Sequence, residues 1–251
     1  MFRKISIILP LIIFLIFFSS CGSEIGKNSS EISVSTISDI THDNMNGDGN
    51  EVYIKENNEY VPYYVIDNYN GNILLMRKEL LSNTFQYYTA SIYNSGAGYY
   101  PTSIPDDYLT NTFITFFSDE VQALIPETDI EIASLNTILR DDYTRTCEIV
   151  SRKVFLLSAT EYGIRSSMAA GEGNSIDCLE DYLTLDAQWL RSAYLWDDVH
   201  AWAISTEFYG EENVMSELYI RPVFVLPADT MIEISEDIVE GQSVYILSCE
   251  K

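Results

Sequence analysis

The sequence predicts an α+β domain, because three patterns follow one another along the chain. β-rich runs on either side of an Asn-Gly pair near residue 70 predict a hairpin. Two segments that start with helix-capping residues follow between residues 103 and 125. The second half of the chain holds further β-rich runs with turn residues between them, and no internal repeat accompanies them.

The first twenty residues have the composition of an export signal. Arg3 and Lys4 precede an apolar run over residues 5–18, which is shorter than the roughly 20 residues that a membrane-spanning helix needs. Two serines and then Cys21 close this run, in the order in which lipoprotein signals end. We therefore expect cleavage before Cys21, a lipid on its thiol, and a mature protein at the extracytoplasmic face of the cell membrane. Plain secretion is the alternative.

The remaining chain is strongly acidic and long enough for one domain. The formal net charge is −24 at pH 7, and the leader contains two cations but no acid. A field this negative repels phosphate backbones, so we exclude nucleic acid as a partner. Residues 21–51 are rich in Ser, Asn, Asp and Gly and predict a flexible tether. The aromatic content of 13% supplies a core for a single domain over residues 52–251.

A short part of the predicted tether resembles a metal loop, but only in its first half. Residues 44–49 alternate oxygen-bearing side chains and end in glycine, as the start of a calcium loop does. The second half fails, because Lys55 stands where a bidentate acid is required. We therefore predict a linker here, and we expect neither a bound metal nor a cofactor.

The first ordered elements are a hairpin and two helices. Residues 61–67 and 73–77 are β-rich and lie on either side of Asn70-Gly71, which supplies the positive φ of a tight turn. Serine, proline and two acids start a helix that we expect over residues 103–116. A serine caps a second helix over residues 118–125, and a proline ends it.

Strands dominate the second half of the chain. Residues 154–157 form a short apolar strand, and Ser158 and Glu161 follow it as a capping box, which predicts the start of a short helix. Residues 165–175 are rich in Ser, Ala and Gly and predict a loop. Further strands are predicted over residues 188–192, 201–207, 219–226 and 243–248.

Three cysteines follow Cys21, namely Cys147, Cys178 and Cys249. They show no Cys-x-x-Cys spacing and no paired histidines, so they do not predict a zinc site. Outside the membrane a disulfide is allowed, and Cys147 with Cys178 is the pairing we consider first. Three buried, unpaired cysteines are an equal alternative, because unpaired cysteine is commonly buried.

Five sequence blocks occur in an order that is typical of a known family. The blocks are Val61-Pro62-Tyr63-Tyr64-Val65-Ile66-Asp67 with Gly71-Asn72-Ile73-Leu74-Leu75, Phe117-Ser118-Asp119-Glu120, Lys153-Val154-Phe155-Leu156-Leu157-Ser158 with Glu161, Trp189-Leu190-Arg191-Ser192 and Ile220-Arg221-Pro222. Over about residues 52–226 the chain resembles an uncharacterised bacterial domain, one of the numbered families of unknown function, found in many exported proteins of Gram-positive bacteria. Ala193 departs from this family, which usually has proline there.

The resemblance implies a fold similar to that of C-type lectins. In such a fold two helices pack on small antiparallel sheets, and a long irregular loop presents the ligand-binding residues. The family brings no agreed catalytic or ligand residues, so none is carried over to this chain. A C-type-lectin-like form of the α+β class is therefore what the resemblance leads us to expect.

The densest aromatic and acidic stretch follows the Trp-Leu-Arg-Ser block and is the predicted binding site. Aromatic faces stack on sugar rings, acids accept hydrogen bonds from hydroxyl groups, and an arginine can clamp a carboxylate. The candidate ligand-binding residues are Tyr194, Trp196, Asp197, Asp198, Trp202 and Arg191. The alternative places Trp196 and Trp202 in the core and has Arg191 and Arg221 pair with internal acids or carbonyls, fastening neighbouring strands.

The sequence offers little for catalysis. His42 and His200 are its two histidines, and it contains no Gly-x-Ser-x-Gly elbow, His-Glu-x-x-His helix or phosphate-binding glycine loop. We therefore predict no catalytic residue and expect a lipid-anchored, non-enzymatic surface protein that binds a glycan or an envelope protein. A carbohydrate-active hydrolase with a carboxylate pair and a purely structural envelope protein are the alternatives.

Overall fold

Strands dominate the fold. A computed structural model of the chain describes residues 36–46, 49–139, 145–239 and 242–250, which belong to one compact unit. These ranges contain twelve strands in three sheets and four short α-helices, with short 3₁₀ helices between them. The predicted export signal and Cys21 lie outside the described residues.

The individual elements are short. The strands are β1 Glu51–Glu56, β2 Glu59–Tyr69, β3 Asn72–Arg77, β4 Thr128–Ala133, β5 Cys147–Arg152, β6 Val154–Phe155, β7 Gln188–Ala193, β8 His200–Ile204, β9 Tyr209–Asn213, β10 Val223–Pro227, β11 Ile232–Val239 and β12 Gln242–Leu247. The α-helices are α1 His42–Met45, α2 Ile104–Asn111, α3 Asp119–Leu124 and α4 Leu135–Ile138. No helix in the described ranges combines the length and the apolar composition that crossing a membrane requires.

The largest sheet has seven strands in the order β11-β12-β1-β2-β3-β10-β6. Neighbouring strands run antiparallel except for β1 and β12, which pair in parallel with Val52 opposite Tyr245. Leu74 and Leu75 are successive residues of β3 and both are fully buried. Because successive side chains of a strand point to opposite faces, the core covers both faces of this sheet at β3. The smaller sheets are β4-β5 and β7-β8-β9.

The predicted hairpin is confirmed as β2 and β3. Asn70 and Gly71 form its turn with φ angles of 52° and 91°, the left-handed backbone that an Asn-Gly pair adopts at low cost. The register shifts between Val65 and Asn68, which marks a bulge in the longer strand. The turn sequence therefore fixes how the two strands meet.

The C-type-lectin-like prediction is wrong. Both predicted helices start at the expected caps, because Ser103 Oγ accepts a hydrogen bond from the Asp106 amide at 3.2 Å and Ser118 Oγ accepts one from the Val121 amide at 3.3 Å. However, α2 and α3 end after eight and six residues. Two such short helices do not build a helical layer beside small sheets. The seven-stranded sheet is the main scaffold instead, and the mixture of helix and strand is mostly β.

Part of the predicted tether is packed against the domain. Ile37 and Ile40 are fully buried, and the Ile37 amide donates a 2.8 Å hydrogen bond to the Thr230 carbonyl oxygen. Thr36 forms an isolated antiparallel bridge with Met231. Two isolated isoleucines in a polar segment give no periodic signal, although burying each contributes about 1.5–3 kcal/mol. The packed domain therefore starts earlier than the predicted boundary at residue 52.

Cys147 and Cys178 are not joined by a disulfide. Cys147 lies on β5, where its Sγ is 3.8 Å from the Ala170 carbonyl oxygen. Burial raises the pKa of both thiols to about 11, so they stay protonated at neutral pH. Both thiols are unpaired but only partly buried, and Cys249 is exposed. The alternative of three buried, unpaired cysteines is therefore right about the missing disulfide between Cys147 and Cys178 and not about the depth of burial.

Candidate functional site

The predicted binding stretch lies mainly in the loop between β7 and β8, and its residues do not all face solvent. The Trp196 side chain is 64% exposed, whereas Asp198 is buried. The Asp198 carboxylate accepts hydrogen bonds from the backbone amides of Asn94 and Gly96 at 2.9 and 2.8 Å. Asp198 therefore holds a neighbouring loop in place and does not face a ligand.

The other residues of this stretch are divided between the surface and the interior. Asp197 Oδ1 lies 2.6 Å from His200 Nδ1. The Tyr194 ring packs edge-on against the rings of His200 and Trp202, at centroid distances of 6.3 and 5.9 Å. Trp202 is buried, and its indole Nε1 donates to a backbone carbonyl oxygen at 3.2 Å. The structure thus brings Tyr194 and Trp202 together and leaves Trp196 as an exposed ring.

Trp196 belongs to a set of exposed apolar side chains on adjacent segments. Ile92 and Tyr93, in the loop that Asp198 fastens, are 61% and 68% exposed. Leu135 is also exposed and lies against the same loop. A Cβ atom added to Gly96 of that loop would be 2.8 Å from Leu135 Cδ1. We name Ile92, Tyr93, Leu135 and Trp196 the aromatic loop surface.

Arg191 is fully buried and does not reach a ligand. Its guanidinium binds the Glu161 carboxylate through two hydrogen bonds, from Nη1 to Oε2 at 2.6 Å and from Nη2 to Oε1 at 2.8 Å. Nε and Nη1 also donate to the carbonyl oxygens of Glu131 and Leu156. The guanidinium that was predicted to bind a ligand is thus engaged inside the domain. The alternative, an internal ion pair that fastens neighbouring strands, describes it.

Two of the sequence blocks meet in a buried polar cluster, which we define as Ser158, Glu161, Glu172, Arg191 and Ser192. The Ser158 amide donates to Glu161 Oε2 at 2.8 Å, and the Glu161 amide donates to Ser158 Oγ at 3.0 Å. These are the hydrogen bonds of the predicted capping box. A turn follows instead of the predicted short helix. The Glu161 carboxylate is shared with Arg191, so the box shapes a turn around the buried ion pair.

Glu172 ties the predicted loop of residues 165–175 to this cluster. Its Oε1 accepts a hydrogen bond from the Ala133 amide at 2.7 Å, and Ser192 Oγ donates to its Oε2. Ser158 Oγ donates to the Glu172 carbonyl oxygen at 2.6 Å. Burial raises the pKa of the Glu172 carboxyl. A segment whose composition predicts a loop is thus anchored by a buried acid.

We expect Glu172→Gln to change how stability depends on pH. A carboxyl with a raised pKa in the folded state contributes stability that is present below its unfolded pKa of about 4.3 and lost as pH rises through the folded pKa. Between about pH 4 and pH 7 the wild type should therefore lose stability relative to Glu172→Gln, because glutamine stays neutral. Urea midpoints across this range measure the difference. Parallel profiles for wild type and variant would contradict it, and the exposed Glu180→Gln serves as the control.

The Arg-Pro block also serves the fold. Arg221 is buried, and its guanidinium donates to the backbone carbonyl oxygens of Arg77 at 2.8 Å and of Lys78 and Tyr182. Arg77 and Lys78 are successive residues at the end of β3, and Tyr182 ends a 3₁₀ helix. The arginine therefore joins two segments that are distant in sequence. Arg221, like Arg191, is therefore accounted for by internal bonding.

An open groove of about 680 Å³ lies beside β8 and offers a concave surface. Its lining comes from three segments, within residues 162–166, 180–183 and 202–209. We call it the aromatic groove, because four of its lining residues are Tyr162, Trp202, Phe208 and Tyr209.

Strand pairing positions the aromatic side chains of this groove. Ile204 at the end of β8 pairs with Tyr209 at the start of β9. Trp202 and Ile204 share one face of β8, because side chains alternate along a strand, and both are buried. Tyr209 is 68% exposed, and Phe208 in the preceding turn is 39% exposed. The groove therefore combines a buried apolar base with two exposed rings.

Polar and charged groups complete the lining. The hydroxyl-bearing residues are Ser166, Ser205 and Thr206, and the charged residues, all of them exposed, are Arg165, Glu180 and Glu207. A mostly apolar concavity with a few polar groups is the usual form of a small-molecule site. The lining of the aromatic groove is more polar than that, being about equally polar and apolar, and it therefore suits a polar ligand that also has an apolar face.

Trp202 is the one predicted ligand-binding residue that lines the aromatic groove. Sequence reasoning does not identify Phe208 and Tyr209, although they follow a Ser-Thr-Glu turn signal, which favours an exposed position. It also does not identify Arg165, because no local pattern separates it from an ordinary surface arginine. The groove exists only through contacts between segments that are distant in sequence.

Comparison with known proteins identifies the family alone. No curated protein and no solved structure matches the chain. The model of DUF6273, a domain of unknown function, matches residues 70–228. This range contains both the buried polar cluster and the aromatic groove. The resemblance to a numbered family of unknown function is therefore confirmed, and the chain belongs to the DUF6273 family.

Proposed function

We propose that the protein binds a carbohydrate in the aromatic groove and acts outside the cytoplasmic membrane, held there by a lipid on Cys21. The observation that carries this proposal is the pair of exposed rings, Phe208 and Tyr209, beside a buried base that includes Trp202. Exposed rings at a concave site offer flat apolar faces, against which the C–H face of a sugar ring can stack.

The size and the hydroxyl groups of the groove support a ligand of one or two sugar rings. Its volume of about 680 Å³ is typical of small-molecule sites. Ser166 Oγ and Ser205 Oγ accept hydrogen bonds from the backbone amides of Met168 and Glu207 at 3.0 and 3.3 Å. These bonds orient the two hydroxyl groups and leave their protons for a ligand.

The proposed location rests on the sequence. A basic and apolar leader that ends in small residues and Cys21 supports export and lipid attachment. The net charge of −24 disfavours nucleic acid and anionic lipid surfaces as partners. A carbohydrate of the cell envelope is then a ligand that such a protein meets.

We expect Tyr209→Ala to weaken carbohydrate binding at least tenfold, because truncating an aromatic anchor commonly costs about 1.4 kcal/mol or more, which is one factor of ten. Calorimetric titration of the full chain with neutral and acidic cell-wall oligosaccharides measures the change. Tyr93→Ala is the matched control, because Tyr93 has the same 68% exposure but lies outside the groove. The control should bind like the wild type.

Three outcomes would redirect the proposal. An equal loss in both variants would contradict the groove as the site. Turnover of a bound oligosaccharide would favour a carbohydrate-active hydrolase, for which Glu180 and Glu207 are the exposed acids of the groove. No saturable binding of any oligosaccharide would favour a purely structural envelope protein.

The aromatic loop surface favours a second candidate function, docking of an envelope protein. Several large apolar side chains exposed on adjacent segments are typical of interaction sites, and Tyr93 and Trp196 are the two aromatic members of this set. Binding of a protein partner at this surface should be weakened by Tyr93→Ala and unaffected by Tyr209→Ala. This is the reverse of the result expected for a carbohydrate.

A further inference from the structure

We infer that the ligand of the aromatic groove is a sugar that carries one carboxylate, and that Arg165 binds this carboxylate. The inference rests on the proposed function and adds the chemical class of the ligand. Its structural basis is an exposed arginine that lines the groove without an acidic partner in the part of the chain that the structure describes.

Most other cations among the described residues are neutralised or bonded internally. The ion pairs are Arg77 with Glu56, Lys78 with Glu51, Arg152 with Asp106 and Arg191 with Glu161. Such pairing is expected in a chain with 38 acidic and 14 basic residues. Arg165 and Arg145 depart from this pattern, because among the described residues neither forms an ion pair or a side-chain hydrogen bond. Of these two arginines, Arg165 is the one that lines the aromatic groove.

Arg165 is unpaired although two acids line the same groove. Glu180 and Glu207 are both exposed there, and neither forms an ion pair with it. The backbone on either side is fixed, because the Ile164 amide and the Ser166 hydroxyl form hydrogen bonds within the local turns. The Arg165 side chain therefore extends from a defined position and keeps its five N–H donors for a ligand.

A carboxylate is the anion that this arrangement suits. The planar guanidinium forms two parallel hydrogen bonds with a carboxylate, which fixes orientation as well as charge. Tyr209 and Phe208 then provide the apolar faces for the ring of the same ligand. Glu180, Glu207 and the net charge of −24 repel a polyanion such as a multiply phosphorylated or sulfated sugar. One negative charge next to many hydroxyl groups is the combination that the lining accommodates.

Two kinds of sugar meet this description. Uronic acids carry the carboxylate directly on the sugar ring, and N-acetylmuramic acid carries it on a lactyl ether. Each has a neutral counterpart of nearly the same shape, which is glucose for glucuronic acid and the lactyl amide for N-acetylmuramic acid. These counterparts isolate the effect of the carboxylate.

Calorimetric titration of the full chain with a glucuronate disaccharide, its carboxyl-reduced counterpart, N-acetylmuramic acid and the amide of N-acetylmuramic acid tests the inference. We expect at least one acidic ligand to bind about tenfold more tightly than its neutral counterpart. Arg165→Gln should bring the two affinities to within about twofold. Arg145→Gln removes an exposed arginine from outside the groove and should keep the preference.

Each contrary result has a distinct meaning. Equal binding of acidic and neutral sugars, with binding still weakened by Tyr209→Ala, would overturn the carboxylate and leave the proposed function standing. A preference that survives in Arg165→Gln would overturn the role of Arg165. The wild type and a variant with the same melting temperature are both folded. If neither binds any of the four sugars, the inference is overturned, and so is the proposed binding of these classes of carbohydrate.

Discussion

Glu161→Ala should lower the free energy of unfolding by about 3–5 kcal/mol, because removing one partner of a buried ion pair leaves the other charge uncompensated. The Arg191 and Glu161 side chains both have an exposure of 0%. The substitution also removes the acceptor of the Tyr69 hydroxyl, which donates to Glu161 Oε1 at 2.6 Å, and of the Ser158 amide. Urea unfolding followed by tryptophan fluorescence measures the loss.

Glu180→Ala is the matched control for this substitution. It also removes a glutamate carboxylate, but from an exposed position. It should change the free energy of unfolding by no more than about 0.5 kcal/mol. A loss below about 1 kcal/mol for Glu161→Ala would mean that Arg191 finds another counter-charge or does not need one. That result would contradict the ion pair as the fastening between the 158–161 turn and β7.

Gly173→Ala should destabilise the protein by about 2–4 kcal/mol. The Gly173 φ angle is 80°, in the left-handed region that costs a residue with a Cβ about 1–2 kcal/mol. A Cβ would also lie 2.9 Å from Glu161 Oε1 and 3.5 Å from Arg191 Nη2. The alanine methyl group would therefore displace the buried ion pair, which cannot move into solvent.

Gly171→Ala separates the two contributions to this loss. Gly171 also has a left-handed backbone, with a φ angle of 87°, but nothing lies within 4 Å of a Cβ built there. It should therefore lose only the backbone cost of about 1–2 kcal/mol. Urea transitions of the two variants, measured under one condition, give their losses in the free energy of unfolding. The difference between these losses is the cost of the close contact between the Gly173→Ala methyl group and Glu161. Equal losses would contradict the steric role assigned to Gly173.

Features that depend on neighbouring residues are predictable from this sequence. Asn70-Gly71, Ser103 and Ser118 mark the hairpin turn and two helix starts, because turn and cap geometry is decided within about four residues. The capping box of Ser158 and Glu161 also forms its hydrogen bonds. The helix that this box predicts does not follow, because a distant arginine holds the same carboxylate.

The fold class depends on contacts that span the chain, and these contacts leave no local signal. The parallel pairing of β1 with β12 places Val52 opposite Tyr245, so the central sheet joins both ends of the domain. The Ile37 amide likewise forms a hydrogen bond with the distant Thr230 carbonyl oxygen. Capping residues show where a helix starts but not how soon it ends, so α2 looks longer in the sequence than it is. The end of α3 agrees with its prediction, because a proline follows it.

The candidate site shows the same division between local and distant causes. Aromatic density alone does not separate Trp196, which is exposed, from Trp202, which is buried. Their positions make that distinction, because Trp202 lies on β8 between two paired strands and Trp196 lies in the loop before β8. Phe208 and Tyr209 line a groove only because the turn that carries them lies opposite residues 162–166. Residue types therefore suggest a sugar site, while its location follows from the fold.

The aromatic groove as the ligand site is tested most directly by amide chemical-shift mapping of the isotopically labelled full chain during titration with the tightest-binding oligosaccharide. We expect the largest shifts within residues 162–166 and 202–209, with smaller ones at Glu180 and Leu183. The largest shifts at Ile92, Tyr93 and Trp196, with the amides of the groove unchanged, would contradict this site.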